Sequence, residues 1–562
     1  MRNIVRATVL APALMLAACY QNYDVVIRNG TIYDGSGSSP YVGDVAISGD
    51  SIAVIGRIGW ARGDVEVEAS GMAVSPGFTN MLSWSTESLI EDGLSQGDIR
   101  QGVTLEVMGE GRSMGPLNTA MREDMIRDQG DVTFAVPWTS LGEYLEHLVE
   151  LGVATNVASF VGATSVRIHE LGYENRPPTE AELARMRELV REAMEEGAIG
   201  LGSSLIYAPA FYADTDELIS LATVVAEYGG VYISHIRSEG ARLNEAVDEL
   251  ISIARESGVA AEIYHLKAAG AENWPKMSAV IDQVERARSE GLRITADMYT
   301  YPAGATGLDA AMPPWVQEGG FAAWVGRLRD PQIRQRVVRE MVTPSGDWEN
   351  LMAAAGSPEN ILFVGFRNDS LQYLTGKTLY EVSQLRGTSS QETVIDLVIQ
   401  DGSSVSTVYF LMSEENIRRQ IALPWVSFGS DGRSMAPNDP FTRSSTHPRA
   451  YGNFSRLLAK YVREENVIPL EEAVRRLTSL PAENMNLRRR GKLEPGFYAD
   501  VVIFDPETIQ DHATFGDPHQ YSTGVRDVFV NGVQVLASGQ HTGARPGRVV
   551  RGPGWTGWNF RD

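Results

Sequence analysis

The sequence predicts an α/β protein: a (β/α)8 barrel of the TIM type with a small β-sandwich domain that both termini build together. Two patterns indicate this fold. In the middle of the chain, apolar runs of five to eight residues are each followed by an amphipathic helix, as in parallel strands joined by helices. Toward each end, short alternating strands are separated by Gly, Asp and Asn. The length of 562 residues and the 43% hydrophobic content allow a large core.

The first residues predict an export signal. Arg2 and Arg6 precede an apolar run that is too short to span a membrane and ends in small residues before Cys19. This pattern resembles the bacterial lipoprotein processing box, so we expect residues 1–18 to be a signal peptide and Cys19 to carry the lipid. An ordinary secretory signal is the alternative. Because Cys19 is the only cysteine, no internal disulfide can form. We expect a lipoprotein that is anchored to a membrane and faces the periplasm.

The charge of the chain argues against a nucleic-acid partner. The formal net charge is −23 and the pI is near 4.9. A nucleic-acid-binding protein normally presents a basic face to the phosphates. The acidity is more typical of a solvated surface that keeps a protein soluble.

The terminal β-domain is predicted from residues 19–75 together with residues 482–562. Alternating strands occur near the start in "YDVVIRNGTIYDGSG" and "GDVAISGDSIAVIG". The same texture returns near the end in "GFYADVVIFDP", "VRDVFVNGVQVLASG" and "GARPGRVVRG". We therefore expect the two ends of the chain to share one domain.

The barrel is predicted from residues 76–481. Thr179 and Glu182 form a capping box for a helix that ends before Gly197, and "AIGLGSSLIY" then follows as a buried strand. The strands "VYISHI" and "AAEIYHLK" enclose a helix with apolar residues at helical spacing, namely Leu243, Ala246, Val247, Leu250 and Ile251. Since such barrels usually need roughly 250 residues, we expect an insertion, placed near 300–359, where "GATGLDAAMPPWVQEGG" interrupts the alternation.

Four polar residues terminate apolar runs, where the active site of such a barrel lies. They are Glu110, His235, His265 and Asp431. The two histidines end consecutive strands and can converge on one ion, and two imidazoles with one carboxylate leave a fourth position open, as catalytic zinc requires. The alternatives are that Glu110 caps a helix or pairs with Arg112, that each histidine is an ordinary polar residue, and that Asp431 forms an Asx-turn.

The arrangement resembles the amidohydrolase superfamily and, within it, the N-acyl-D-amino-acid deacylases, also called D-aminoacylases. The matching segments keep the same order over nearly the whole mature chain. They are "DVVIRNGTIYDGSG", "SPGF", "RQGVT", "GAIGLGSSLIYAPAFYADTDELI", "HIRSEG", "HLK", "GSDG", "HPRAYGNFSRLLAKYVRE", "EEAVRRLTSLPAE", "ADVVIFDP", "DPHQY" and "TGARPGR". The resemblance implies a barrel beside a split β-domain, a zinc ion, and hydrolysis of the amide between an acyl group and a D-amino acid.

Two departures from the resembled family bear on the metal. Where those deacylases carry His-x-His after the first strand, this chain has Leu82 and Trp84, and the bridging cysteine near the second strand is absent. A site of Glu110, His235 and His265 resembles instead the single-metal arrangement of some N-acetylglucosamine-6-phosphate deacetylases. We therefore expect one Zn²⁺, with Leu82 and Trp84 as packing residues that close off the second metal position.

The resemblance also suggests roles in catalysis and substrate binding. Asp431 would take a proton from water and return it to the departing amine. Lys267 matches the lysine that contacts the substrate carboxylate in the deacylases, and Tyr207 and Tyr299 match tyrosines that contact substrate, with Tyr301 as the alternative to Tyr299. Two further residues have open roles: Arg237 binds substrate or pairs with Glu239, and His447 supports the site or the fold.

The predicted function is zinc-dependent hydrolysis of N-acyl-D-amino acids, with the D-configuration implied by the resemblance alone. One alternative is another amidohydrolase, such as a dipeptidase or a cyclic-amide hydrolase. The other is a non-catalytic binding lipoprotein that kept the fold and lost its metal.

Overall fold

The computed structural model describes residues 22–343 and 346–558. The predicted signal peptide and Cys19 lie outside these residues. Among the described residues, no helix combines the length and the apolar character needed to cross a membrane.

The strands of the described chain fall into a terminal sheet, a barrel and an inserted sheet. In chain order they are β1 (Asn22–Ile32), β2 (Tyr41–Ser48), β3 (Ser51–Gly56), β4 (Arg62–Glu68), β5 (Ala73–Pro76), β6 (Phe78–Asn80), β7 (Val103–Met108), β8 (Asn156–Ser159), β9 (Val161–Gly162), β10 (Gly200–Ser204), β11 (Val231–His235), β12 (Ala260–Ile263), β13 (Ile294–Met298), β14 (Ala303–Gly307), β15 (Ile361–Gly365), β16 (Ser406–Phe410), β17 (Val426–Phe428), β18 (Val501–Phe504), β19 (Val525–Val530), β20 (Val533–Ala537) and β21 (Gln540–His541).

The helices lie between the barrel strands and in the insertion. In chain order they are α1 (Ser88–Glu91), α2 (Gln96–Ile99), α3 (Thr119–Arg127), α4 (Leu141–Leu151), α5 (Ala163–Leu171), α6 (Glu180–Glu195), α7 (Thr215–Glu227), α8 (Leu243–Ser257), α9 (Met277–Ser289), α10 (Phe321–Leu328), α11 (Pro331–Val342), α12 (Leu351–Ala354), α13 (Leu379–Arg386), α14 (Ser390–Asp401), α15 (Glu414–Ile421), α16 (Arg449–Arg456), α17 (Leu470–Leu477) and α18 (Ser479–Asn484). A π-helix, Leu457–Glu464, continues α16.

The barrel is a closed ring of parallel strands. β6, β7 and β8 pair in that order, and β9, β10, β11, β12, β13 and β17 form the rest of the ring. Only Phe160 separates β8 from β9, so the two act as one strand. The ring closes where Met81 donates its N–H to the Phe428 carbonyl at 3.2 Å. In the described chain this gives eight strands around the barrel, which confirms the predicted fold.

The local predictions for the barrel are also confirmed. Thr179 and Glu182 form a reciprocal capping box at the start of α6, which ends before Gly197. The apolar stripe predicted for α8 is buried against the core. These two helices therefore cover the outside of the barrel, and the polar strand ends stay free for the site.

The terminal sheet joins both ends of the described chain. Its strands follow the order β21, β20, β19, β18, β5, β1, β2, β3, and β4 pairs with the first part of β1 in parallel. A separate apolar cluster that includes Ile27, Ile47, Val501 and Phe529 forms its core. The expected β-sandwich domain built from both termini is thus present beside the barrel.

Two segments differ from the sequence expectations. The insertion between β13 and β17 continues well past residue 359, because β15, α13, α14 and β16 also belong to it before the chain returns to the barrel. Residues 543–552 form no strand of the terminal sheet. They run along the amino ends of the barrel strands, where Arg548 and Val550 hydrogen bond with the backbone of Val157 at 3.0 and 2.8 Å. Glycines permit this approach, since a Cβ on Gly547 would lie 2.0 Å from the Thr155 carbonyl oxygen.

Candidate active site

The four polar residues predicted at strand ends lie at one end of the barrel. Glu110 follows β7 by two residues, His235 is the last residue of β11, His265 follows β12 by two residues, and Asp431 follows β17 by three. His265 and Asp431 have positive φ angles of 35° and 48°, which are uncommon for non-glycine residues and recur at functional sites. The His265 conformation is held by Asp297, which accepts the His265 N–H at 2.8 Å.

Glu110, His235 and His265 form a buried cluster. Glu110 Oε1 lies 3.1 Å from His235 Nδ1 and 3.0 Å from His265 Nε2. Burial opposes ionisation, but the two imidazoles outweigh it and hold the pKa of Glu110 well below its usual range. Arg112 bonds to Tyr173 instead of the Glu110 side chain. One ligand atom from each residue lies within 4.8 Å of the others, so the three fit a divalent ion.

The donor set of this cluster suits zinc. Two imidazole nitrogens and one carboxylate are the ligands of many catalytic zinc sites, and they leave room for water or substrate. The ring planes of the two histidines meet at 84°, so their nitrogens approach Glu110 from different directions. The buried His235 Nε2 has no hydrogen-bond partner among the described residues. Each ring thus turns one nitrogen toward Glu110, namely Nδ1 of His235 and Nε2 of His265, and the other nitrogen away from it.

Glu239 lies behind both histidines and was not predicted as part of the site. Its Oε1 is 3.0 Å from His265 Nδ1 and 2.5 Å from Lys267 Nζ, and its Oε2 is 3.7 Å from His235 Nε2. Burial raises the pKa of Glu239, yet Lys267 and the histidines together hold it well below its usual range. The "HIRSEG" segment placed Glu239 near His235 in sequence, but only the fold reveals that it contacts both rings.

Asp431 is held by two groups on opposite sides of its carboxylate. Trp84 Nε1 donates to Oδ1 at 3.0 Å, and Arg449 Nη1 lies 2.9 Å from Oδ2. Burial raises the pKa of Asp431, and Arg449 opposes this only in part. The expectation for Leu82 agrees with its full burial in an apolar cluster. Trp84, expected as a packing residue, also donates its indole N–H to Asp431, a contact that the sequence did not predict.

The tyrosines surround the same space. Tyr299 lies beneath the Arg449 guanidinium at 4.5 Å from its ring centre, and burial raises its pKa to about 12. Its buried hydroxyl has no hydrogen-bond partner among the described residues. The Tyr207 ring lies 5.4 Å from the His235 ring. Tyr301 bonds to Asp511 and lies outside the cavity lining, so Tyr299 is the tyrosine that faces the site.

His447 and Arg237 do not contact the Glu110 cluster and have other partners. His447 Nε2 lies 2.9 Å from the Ala303 carbonyl, and its Nδ1 accepts the N–H of Arg449, so it fixes the start of α16. Burial lowers the pKa of His447 well below its usual value. Arg237 forms an ion pair with Glu249 at 2.9 Å and not with Glu239, and it lines a different cavity. The structure therefore does not bring Arg237 to the site.

A cavity of about 1000 Å³ lies between the Glu110 cluster and Asp431. The metal cluster, Asp431, Lys267 and Arg449 lie on its wall, and the inserted sheet contributes β14 from Gly304 to Gly307. The cavity therefore combines a ligand set for a metal, a buried carboxylate and two buried cations. This combination suits hydrolysis of a small anionic substrate.

The barrel and its cluster of metal-ligand residues are those of a metal-dependent hydrolase, and its family and relatives make it one that acts on C–N bonds other than peptide bonds. A family model described as "Amidohydrolase family" matches residues 66–536, and the chain belongs to that family, within its group of D-aminoacylases.

The relatives match almost the full length of the chain. A D-aminoacylase of Alcaligenes xylosoxydans xylosoxydans is 32% identical over 94% of this chain and 98% of its own. A crystal structure of N-acyl-D-glutamate deacylase from Bordetella bronchiseptica, with zinc and a phosphonate inhibitor, has a TM-score of 0.79, 28% identity, and coverage of 94% and 100%. A D-aminoacylase structure with a binuclear metal centre, described by one-metal activation and second-metal attenuation, has a TM-score of 0.78, 30% identity and the same coverage.

Proposed function

We propose that this protein hydrolyses N-acyl-D-amino acids to a carboxylic acid and a free D-amino acid. The observation that carries the proposal is the Glu110, His235 and His265 cluster, which shares a cavity with Asp431 in a chain similar to D-aminoacylases. The D-configuration and the acyl group come from the named relatives. We also propose that the protein is exported and anchored to a membrane by a lipid on Cys19, because the residues before Cys19 match the pattern of a lipoprotein signal peptide.

Glu110, His235 and His265 are the residues proposed to hold one Zn²⁺. A bound zinc ion polarises the scissile carbonyl and lowers the pKa of water from about 15.7 toward 7. The residues around the ligands keep the imidazoles in place: Glu239 faces the far nitrogen of each ring.

Asp431 is the proposed proton carrier. It accepts a proton from the attacking water and donates it to the nitrogen of the leaving amine. Its burial raises its pKa, which makes it a better base than an exposed aspartate. Trp84 and Arg449 fix both carboxylate oxygens, so the side chain keeps one orientation toward the cavity.

Two cations are available for the substrate carboxylate. Lys267 donates to Glu239 at 2.5 Å and lies 2.8 Å from His265 Nδ1, which leaves one of its three N–H groups for the cavity that it faces. Arg449 pairs with Asp431 through Nη1, whereas its buried Nε has no hydrogen-bond partner among the described residues, and such a donor favours a carboxylate. Tyr207 and Tyr299 form the adjacent walls of the cavity, where they contact the substrate.

The test combines metal analysis with a substrate panel. Purified protein is assayed with N-acetyl-D-amino acids, their L-enantiomers, dipeptides and cyclic amides, and its zinc is measured by mass spectrometry. We expect turnover of the N-acetyl-D compounds, loss of zinc in Glu110→Gln, and retained zinc with a 10²- to 10⁴-fold lower kcat in Asp431→Asn. Turnover confined to dipeptides or cyclic amides would refute the deacylase assignment, and negligible zinc in every preparation would favour a binding protein.

A further inference from the structure

The contact between Trp84 and Asp431 joins the first and last strands of the barrel. Asp431 donates its backbone N–H to the Leu82 carbonyl at 2.8 Å, and Trp84 donates its backbone N–H to the Gly432 carbonyl at 2.9 Å. These bonds fix the two loops in register, and a bridge between Ser83 and Gly432 lies in the same ladder. The indole therefore donates to Asp431 at 3.0 Å from a backbone that is itself hydrogen bonded to the Asp431 loop.

The chemistry around Asp431 disfavours a second metal ion. An indole N–H donates and cannot act as a ligand. Its bond occupies Oδ1, and the positive guanidinium of Arg449 faces Oδ2. Leu82, the other side chain from this loop, is fully buried among apolar residues. Among the described residues, Glu110, His235 and His265 are the only group of three His, Cys, Asp or Glu side chains whose ligand atoms lie within 4.8 Å of one another.

We propose that Trp84 is a positioning residue that holds Asp431 through its N–H and takes the place of a second metal ion, so that the site works with a single ion. The inference rests on the proposed function and deepens it. It distinguishes this chain from the relative with a binuclear centre, in which a second metal attenuates activity. We therefore expect that excess zinc does not lower the hydrolytic activity of this protein.

The first test removes only the indole N–H. In Trp84→Phe we expect kcat to fall about 10-fold or more with little change in KM, because the ring still packs while Asp431 loses a donor. The N–H stabilises the charged carboxylate, so its loss raises the pKa of Asp431 and moves the acidic limb of the kcat/KM profile to higher pH. The other charged groups that act on Asp431 stay the same; they are Arg449, Glu110, His265 and Lys267.

The matched control is Trp315→Phe. Trp315 is also half-buried and also donates its indole N–H to a carboxylate, Glu340 at 2.7 Å, but it lies outside the cavity. This variant should keep the wild-type kcat and pH profile. An unchanged kcat and acidic limb in Trp84→Phe would overturn the positioning role.

The second test counts zinc in the wild-type protein. After dialysis against zinc we expect one equivalent by mass spectrometry, and activity that does not decline with excess zinc. Two bound equivalents would overturn the inference even if the enzyme is active. Failure of the proposed function would appear differently, as absence of turnover with every N-acyl-D-amino acid, and the zinc count would still decide whether the site holds one ion.

Discussion

Glu239 lies behind both histidines of the metal cluster. One of its oxygens lies 3.0 Å from His265 Nδ1 and the other 3.7 Å from His235 Nε2, while each ring turns its remaining nitrogen toward Glu110. Lys267 in turn fixes Glu239 at 2.5 Å. A carboxylate that accepts from the far N–H of a histidine sets its tautomer and orientation as a ligand. Glu239 is within hydrogen-bond distance of His265 only, and its second oxygen faces the His235 nitrogen that has no hydrogen-bond partner among the described residues.

We expect Glu239→Gln to bind zinc 10- to 100-fold more weakly than the wild type, the usual cost of losing such a partner. Zinc affinity is measured by competition with a chromogenic chelator, independently of activity. Glu249→Gln is the control, because Glu249 pairs with Arg237 in the other cavity and touches neither histidine. Equal zinc affinity in Glu239→Gln and the wild type would remove Glu239 from the metal site.

At the residue scale, the sequence predicts the three members of the Glu110 cluster but not the residues that support them. Glu110, His235 and His265 each terminate a strand, and parallel strands bring their carboxyl ends together, so spacing alone indicates convergence. Glu239 and Arg449 lie on loops and helix starts whose return toward the barrel has no local signature. Trp84 follows the first strand, and only closure of the barrel reveals that its N–H meets Asp431.

At the level of the strands, the barrel interior also buries carboxyl groups that do not line the cavity, and Glu262 is one of them. Glu262 on β12 is fully buried and accepts hydrogen bonds from Thr295 on β13 at 2.7 Å and from Asn484 at 3.1 Å. Burial raises its pKa from 4.5 to about 7, and the hydrogen bonds oppose the shift only in part. Neighbouring parallel strands therefore enclose a carboxyl group that is largely protonated below neutrality.

This group makes stability depend on pH in a defined direction. The folded state keeps a proton that the unfolded state releases above pH 4.5, so stability falls as pH rises from 4.5 through 7 and stays lower above that window. Glu262→Gln should remove this loss, which is on the order of 3 kcal/mol. Urea unfolding at pH 5 and pH 8 measures it. Glu290→Gln, an exposed change, serves as the control, and an equal loss in wild type and Glu262→Gln would contradict the prediction.

The alternation of strands and helices predicts the barrel elements well and the insertion poorly. α6 and α8 carry their caps and apolar stripes in the sequence, since one face of each helix is buried against the barrel. The insertion contains α13, α14 and a three-stranded antiparallel sheet, whose local patterns match those of barrel units. Periodicity identifies an element, but which sheet a strand joins depends on contacts distant in sequence.

For the whole molecule, the two ends of the barrel have separate tasks. The site lies at the carboxyl ends of the strands, whereas the C-terminal segment 543–552 crosses the amino ends and ties the terminal domain to the barrel. The sequence predicts that this segment belongs with the terminal strands, because Val549 and Val550 are typical strand residues. In the structure the segment pairs with Val157 and with Gly197 instead.

Because the two ends of the barrel have separate tasks, a substitution at the amino ends should lower the stability of the fold and leave the catalytic constants unchanged. A Cβ at Gly547 would lie 2.0 Å from the Thr155 carbonyl oxygen, so Gly547→Ala forces the segment away from the barrel. Overpacking of this kind typically costs about 1–3 kcal/mol. We expect a lower melting temperature by calorimetry, with zinc content, kcat and KM of the folded protein unchanged, because the amino ends of barrel strands serve stability. Gly516→Ala is the control, since a Cβ there meets no atom within 4 Å. A loss of zinc or of kcat in Gly547→Ala at a temperature where the protein is fully folded would show that the two ends of the barrel are coupled.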